Sequence, residues 1–286
     1  MSQTMSKILI VLAVMVAVSL ASLAFWRRND AHIERAVWGK LAAADKPNPE
    51  RFDRAMVQDL PEAARRYFDY TIRPGTQLSS VVILEMEGEL GLGDKRNPGY
   101  RDFRARQILA PPRGFVWRLD AGAIGGSDGL VSSRSWTRFW FMGLFPVVRV
   151  SDDRDHLRSA FGRMVAEAAF WAPASLLPGD RVRWEEAGPK TARAIVSNGG
   201  FEQAVEIAIA ADGRPTAVTI QRWSSANPEE TYRFQPFGGS LSGFRDFGGY
   251  RIPTRVEGGN HFGTDAYFPF FKARIRSARF VNLEAK

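Results

Sequence analysis

Glu167 is the carboxylate of this sequence best placed to do chemistry. At 100° per residue it falls at the edge of the apolar stripe of a helix expected over residues 155–170. Leu157, Phe161, Met164, Val165 and Ala168 form the buried side, and Trp171 rejoins it one turn on. A carboxylate at the rim of a buried face needs a partner, and Arg104 or Arg106 on a facing strand would supply one. Such a group is a structural ion pair, a ligand-binding group, or the acid of a hydrolase.

A second pattern, Gly125-Gly126-Ser127-Asp128-Gly129, matches the G-x-S-x-G of a nucleophile elbow. That mechanism needs its serine on a strained strand-to-helix turn. Leu130-Val131-Ser132-Ser133 reads as extended instead, so the run is expected to be a glycine-rich hairpin loop. His32, His156 and His261 form no cluster with zinc spacing, and no H-E-x-x-H occurs. Lys190-Thr191 lacks the glycines of a P-loop, and Gly88, Gly91 and Gly93 lack the third position of a dinucleotide fingerprint. No catalytic residue, metal or cofactor is expected.

Two further groupings point to surfaces rather than reactions. Lys272, Arg274 and Arg276 alternate with Ala273, Ile275 and Ser277, so the three cations share one face of a strand. With Arg27 and Arg28 they are expected to meet anionic headgroups, or else to form a solvated, edge-protecting face. Aromatic residues do not interleave with these cations as a stacking platform requires, which speaks against nucleic acid. Trp136, Phe139, Trp140, Phe141 and Phe145 crowd a short stretch, with Phe268, Phe270 and Phe271 in another. Trp136, Trp140, Phe141, Trp171 and Glu167 are the expected ligand-facing groups of an apolar cavity between sheet and helix.

The elements that must position these groups follow from composition and period. The chain has 286 residues, 45% of them apolar, and no cysteine, which excludes disulfides and thiolate chemistry. Its 39 Lys+Arg exceed 31 Asp+Glu, favouring anionic partners. Residues 8–26 carry no charge and lie between Lys7 and Arg27-Arg28. At about 1.5 Å rise per residue this run spans the roughly 30 Å hydrocarbon core of a bilayer. It reads as a retained transmembrane anchor; the alternative is a signal peptide cleaved near Ser22-Leu23-Ala24. Arg27, Arg28, Arg35 and Lys40 outnumber Lys7 and put the remainder on the cytoplasmic side.

After the anchor, Ile33, Val37 and Leu41 continue a helical stripe that Pro47 and Pro49 end. A short helix follows Leu60-Pro61, with Ala64, Tyr67, Phe68 and Ile72 on one side. From about residue 79 the period changes to two, and about ten strands follow, including one long stretch over 135–150. The fold class expected is mainly β with a few helices: one large curled antiparallel sheet, a half-barrel, with one helix against its concave face and a transmembrane helix before it. The divisions are an anchor over 1–28, a juxtamembrane stalk and linker over 29–75, and one β-rich domain over 76–286.

Three local patterns carry a resemblance. They are Phe103-Arg104-Ala105-Arg106-Gln107 followed by Pro111-Pro112-Arg113-Gly114-Phe115-Val116-Trp117; Arg163-Met164-Val165-Ala166-Glu167 with Trp171, Pro173 and Leu176-Leu177-Pro178; and Phe247-Gly248-Gly249-Tyr250-Arg251-Ile252-Pro253. Together with the N-terminal anchor and Leu60-Pro61 they resemble an uncharacterised bacterial family of membrane-anchored proteins, a domain of unknown function, from about residue 50 onward. The sequence departs from that pattern at 132–137. A curled sheet around a helix is also similar to the lipoprotein carriers of the bacterial envelope, an analogy of fold. The expectation is a single-pass protein of the bacterial cytoplasmic membrane that binds a lipid or apolar small molecule without catalysis. A hydrolase using Glu167 and a membrane-protein assembly module are the alternatives.

Overall fold

A computed structural model of the chain describes residues 3–44 and 49–281. The helix end expected at Pro47 lies outside them. Helix α1 (Gln3–Ala42) runs unbroken from the apolar segment into the basic one. Helix α2 (Glu62–Thr71) buries Ala64, Tyr67 and Phe68, as its stripe requires. The two-residue period then produces β1 (Val82–Gly91), β2 (Tyr100–Ala110), β3 (Gly114–Ala121), β4 (Ile124–Val131), β5 (Arg134–Phe141) and β6 (Phe145–Ser151). Helix α3 (Arg154–Trp171) follows, with the Asp153 carboxylate accepting the His156 N–H at 2.7 Å as its cap. The chain ends in β7 (Val182–Glu186), β8 (Thr191–Asn198), β9 (Phe201–Ile209), β10 (Pro215–Ser224), β11 (Arg233–Phe247), β12 (Tyr250–Asn260) and β13 (Phe268–Phe280).

Among the described residues thirteen strands form one antiparallel sheet, ordered β6-β5-β4-β3-β2-β1-β13-β12-β11-β10-β9-β8-β7. The first six strands meander outward from the middle to one edge. Helix α3 then carries the chain across to the opposite edge, and hairpins bring it back until β13 pairs with β1. Helix α3 packs on both β5 and β9. Those strands would lie roughly 40 Å apart on a flat sheet, beyond the length of an 18-residue helix at about 27 Å. The sheet therefore curls around α3, as the half-barrel expectation has it. Leu84, Phe103, Trp117 and Val256 belong to the inner face with Met164, Val165 and Trp171 of the helix. Residues of opposite parity, such as Ile83, Ile108 and Val116, belong to the outer face.

Two local expectations are corrected. The stretch 135–150 is two strands, because the chain reverses between Phe141 and Phe145, where Met142 and Gly143 adopt positive φ. Gly125 to Gly129 is not a hairpin loop but the body of β4. Its glycines answer a packing need: a Cβ at Gly129 would run into the Trp136 indole, and one at Gly126 into the Arg138 carbonyl and Phe139. Ser127 receives the Trp136 indole N–H at 3.0 Å on the outer face, so its hydroxyl is a packing partner and no elbow exists.

Of the juxtamembrane stalk and linker expected over 29–75, the described part includes the second half of α1 and α2, and both pack on the β-rich domain. The second half of α1 lies across the outer face of the first six strands. Beneath it runs one cross-strand row in register, Glu85, Arg106, Arg118, Ser127, Arg138 and Arg149. The helix answers with Trp26, Asp30, Glu34 and Trp38, four apart on one side. Trp38 stacks on Arg118 at 4.6 Å, Glu34 pairs with Arg118, and Asp30 pairs with Arg138 at 3.1 Å and Arg149 at 2.6 Å. Trp26 meets Trp140 edge to face, with ring centres 5.8 Å apart. Helix α2 docks elsewhere, where the Tyr67 hydroxyl donates to the Ala169 carbonyl of α3 at 2.9 Å.

Candidate functional site

The inner face and α3 do not fill the space between them. A cavity of about 540 Å³ remains, within the usual range for ligand sites. Aromatic and aliphatic side chains form most of its wall, among them Trp117, Phe139, Phe170, Trp171, Leu241 and Phe271. Glycines at 238, 239 and 258 keep one stretch of the sheet bare of side chains. Leu92 of the loop after β1 and Val147 and Val148 of β6 form an exposed rim.

Four charged residues reach this apolar space: Asp128 of β4, Arg163 and Glu167 of α3, and Arg222 of β10. Arg163 binds Glu167 Oε1 through Nε at 2.7 Å and Asp128 Oδ2 through Nη1 at 2.9 Å. The rings of Phe115 and Trp117 cover the same guanidinium at 4.9 and 5.2 Å. Burial acts to lower the Arg163 pKa, but the Glu167 and Asp128 carboxylates outweigh it and raise the value. Gln107 donates to the second Glu167 oxygen at 2.5 Å. Both Glu167 oxygens are thus engaged, and neither Arg104 nor Arg106 is the partner, because their parity on β2 sends them to the outer face. Arg106 pairs there with Glu85 at 3.3 Å.

Arg222 is held differently. Its Nε donates to the Ser159 carbonyl and hydroxyl at 3.3 and 3.1 Å, and Phe237 lies under it at 4.7 Å. Among the described residues no carboxylate pairs with it, since Asp128 and Glu167 are taken by Arg163. Burial, reinforced by the Arg163 charge, lowers its pKa to about 10. It remains a cation at neutral pH, facing a largely apolar space. Nearby, His156 is clamped by Ser135 at Nδ1 (2.8 Å) and Thr137 at Nε2 (2.9 Å). Among the described residues no group of three His, Cys, Asp or Glu side chains could hold a metal ion.

Of the residues expected to face a ligand, the fold brings Trp171 and Glu167 to the cavity. It does not bring Trp136 or Trp140 there. They share parity with Arg138 and lie under α1, whereas Phe139 of opposite parity lines the cavity. Phe141 is exposed beside the turn that ends β5, outside the cavity wall. Lys272, Arg274 and Arg276 do share the outer face, but β1 lies alongside them. Lys272 reaches Glu89 at 3.8 Å and Arg276 reaches Glu87 at 3.4 Å, and Arg274 is register-paired with Glu87. This face is mixed in charge rather than basic. Arg27 lies 6.0 Å from the Trp140 ring and Arg28 is exposed on α1. The residues that sequence reasoning missed are Arg163, Asp128, Arg222 and Gln107. Only Arg163 left a local signal, its four-residue spacing from Glu167.

A family of unknown function (DUF6544) matches residues 50–273, most of the chain, and the chain belongs to that family. No curated protein matches it. Among solved structures, one similar chain is a LolA superfamily protein from Nitrosomonas europaea, with 12% identity and a TM-score of 0.40 over 77% of this chain and 93% of that one. Another is a putative outer membrane lipoprotein-sorting protein domain from Vibrio parahaemolyticus, with 13% identity and a TM-score of 0.41 over 78% and 93%.

Proposed function

We propose that this member of a family of unknown function is a membrane-anchored domain that holds an apolar or lipidic ligand in the α3 cavity without catalysis. The observation that carries this reading is a 540 Å³ space walled by aromatic and aliphatic groups, in which the carboxylates already neutralise Arg163. A largely apolar wall favours a hydrocarbon over a polar substrate. The anchor is α1, whose first half is long and apolar enough to cross a membrane. We place it as a single pass in the bacterial cytoplasmic membrane, with the count of Lys and Arg around the span favouring a cytoplasmic domain.

The test is mass spectrometry of solvent extracts from the full chain purified in detergent. A Gly258→Leu variant supplies the control. Gly258 shares parity with the inner-facing Val256, its backbone φ is ordinary, and an added Cβ meets nothing nearer than the Gly238 carbonyl at 3.5 Å. The extra side chain therefore enters the cavity without forcing the backbone. Stoichiometric lipid in the natural chain, lost in a folded Gly258→Leu protein, is the expected result. Equal lipid content in both proteins would show that the lipid sits elsewhere.

A further inference from the structure

We propose that the β6 edge of the sheet, with the β5–β6 turn, lies against the surface of the lipid bilayer, so that the cavity opens toward the membrane. The inference rests on the reading of α1 as a retained anchor and specifies how the domain stands on it. Three independent features converge on it.

The first is the direction of α1. From Trp38 toward Trp26 the helix passes Arg106 and Arg118 on β2 and β3, then Arg138 and Arg149 on β5 and β6. Because these arginines form one register row, the helix crosses the strands nearly at right angles and leaves the sheet over the β6 edge. The residues before Trp26 are the uncharged span. At about 1.5 Å per residue, one turn beyond Trp26 carries the helix about one strand spacing past β6. The interface of a bilayer pierced by this helix falls where a fourteenth strand would lie, and β6 runs along it.

The second is the contrast between the two edges of the sheet. The β7 edge is five residues long and carries Arg183, Glu185 and Glu186, as an edge strand in water should. The β6 edge exposes Phe145 (47%), Val147 (50%) and Val148 (44%), and the adjoining turn exposes Met142 (72%). Arg149 is its one charged residue, and Asp30 holds it. An apolar, unpaired edge of this kind is an aggregation site in water but suits the apolar boundary of a membrane. The third is continuity with the cavity. Val147 and Val148 belong both to the exposed edge and to the cavity wall, and Phe139 lies beside Val148 in register. A hydrocarbon chain leaving the bilayer at this edge enters the cavity without crossing water.

The chain has no cysteine, so single cysteines can be introduced without background. Spin labels are placed at Met142→Cys, Val150→Cys, Asp212→Cys and Val14→Cys in the full chain, reconstituted in phosphatidylcholine–phosphatidylglycerol vesicles. Collision with oxygen, which concentrates in lipid, is compared with collision with a water-soluble nickel chelate. The expected result is that oxygen dominates at positions 14 and 142 and is enhanced at 150, while nickel dominates at 212. Nickel dominance at 142 and 150, with oxygen dominance at 14, would overturn the docked edge while leaving the anchor in place. Nickel dominance at 14 as well would overturn the anchor itself. A second variant, Met142→Asp with Phe145→Asp, lies outside the cavity wall. It should slow transfer of a fluorescent fatty acid from vesicles to the protein while leaving affinity in detergent solution unchanged. Unaltered transfer would count against the inference.

Discussion

Asp30 and Arg149 meet through two parallel N–H···O bonds, Nη1 to Oδ2 at 2.6 Å and Nη2 to Oδ1 at 2.9 Å. Asp30 is 5% exposed and also accepts from Arg138, so one carboxylate bridges two guanidinium groups beneath α1. This fork-to-fork geometry is the strong form of an ion pair, and it fixes both the position and the rotation of the helix on the sheet. The second half of the N-terminal helix is thereby seated on the sheet.

Removing that carboxylate leaves two cations facing each other under the helix. Asp30→Ala should cost about 3 kcal/mol at the α1–sheet contact, the scale of a buried pair broken from one side. Hydrogen exchange should show it as faster exchange confined to residues 26–42 and to β5 and β6. Unchanged protection there would mean that the Trp26, Trp38 and Leu41 packing alone seats the helix.

The Glu167–Arg163–Asp128 chain separates a structural from a catalytic carboxylate. If Glu167 serves to hold Arg163, Glu167→Gln should lower stability by about 2 kcal/mol in chemical denaturation. Arg163→Met should cost a similar amount, and the double variant less than their sum, because the two act on one interaction. A Glu167→Gln protein of unaltered stability would instead favour the hydrolase alternative.

Arg222 is the cation of the cavity that, among the described residues, has no carboxylate of its own. A ligand carrying an anionic group would supply one, a charge-assisted contact worth about 1.5–3 kcal/mol. Arg222→Met should therefore weaken binding of a long-chain fatty acid by roughly tenfold or more, while binding of the matching fatty alcohol changes little. Competition against a fluorescent acyl probe on the full chain measures both. Equal loss for acid and alcohol would assign Arg222 to the wall rather than to a headgroup.

His156 gives the protein a pH dependence of predictable sign. Burial lowers its pKa from the ordinary value of about 6.5; Asp128 and Asp153 act against burial, and Arg222 and Arg163 act with it. In the window between the folded value and about 6.5, the unfolded chain binds a proton that the folded chain does not. The His156 contribution is therefore complete above about pH 6.5 and is lost as pH falls below it. His156→Gln, which can still bond Ser135 and Thr137, should flatten the melting temperature between pH 7 and pH 5. A slope that survives the substitution would have to come from another group.

Period alone carried much of the architecture. The shift from 3.6 to two near residue 79, the apolar stripe of α3, and the charge-free segment before Arg27 are local properties of the backbone and its solvation, legible as such. Parity likewise told which residues share a face: Lys272 with Arg274 and Arg276, or Trp136 with Trp140. It could not tell what covers each face. Trp136 and Trp140 have the pattern of cavity residues, but α1 covers them, while Phe139 between them lines the cavity. Glu87 and Glu89 meet the cations of β13 because the last strand returns to pair with β1, a contact between residues nearly two hundred positions apart. Asp128 reaches Arg163 for the same kind of reason, across the space between a strand and the crossing helix. Local order follows from sterics and hydrophobic alternation within a few residues, which a sequence displays. The cavity, its ion network and the seat of α1 follow from closing a curled sheet around α3, and only the tertiary structure decided which side chains that closure brings together.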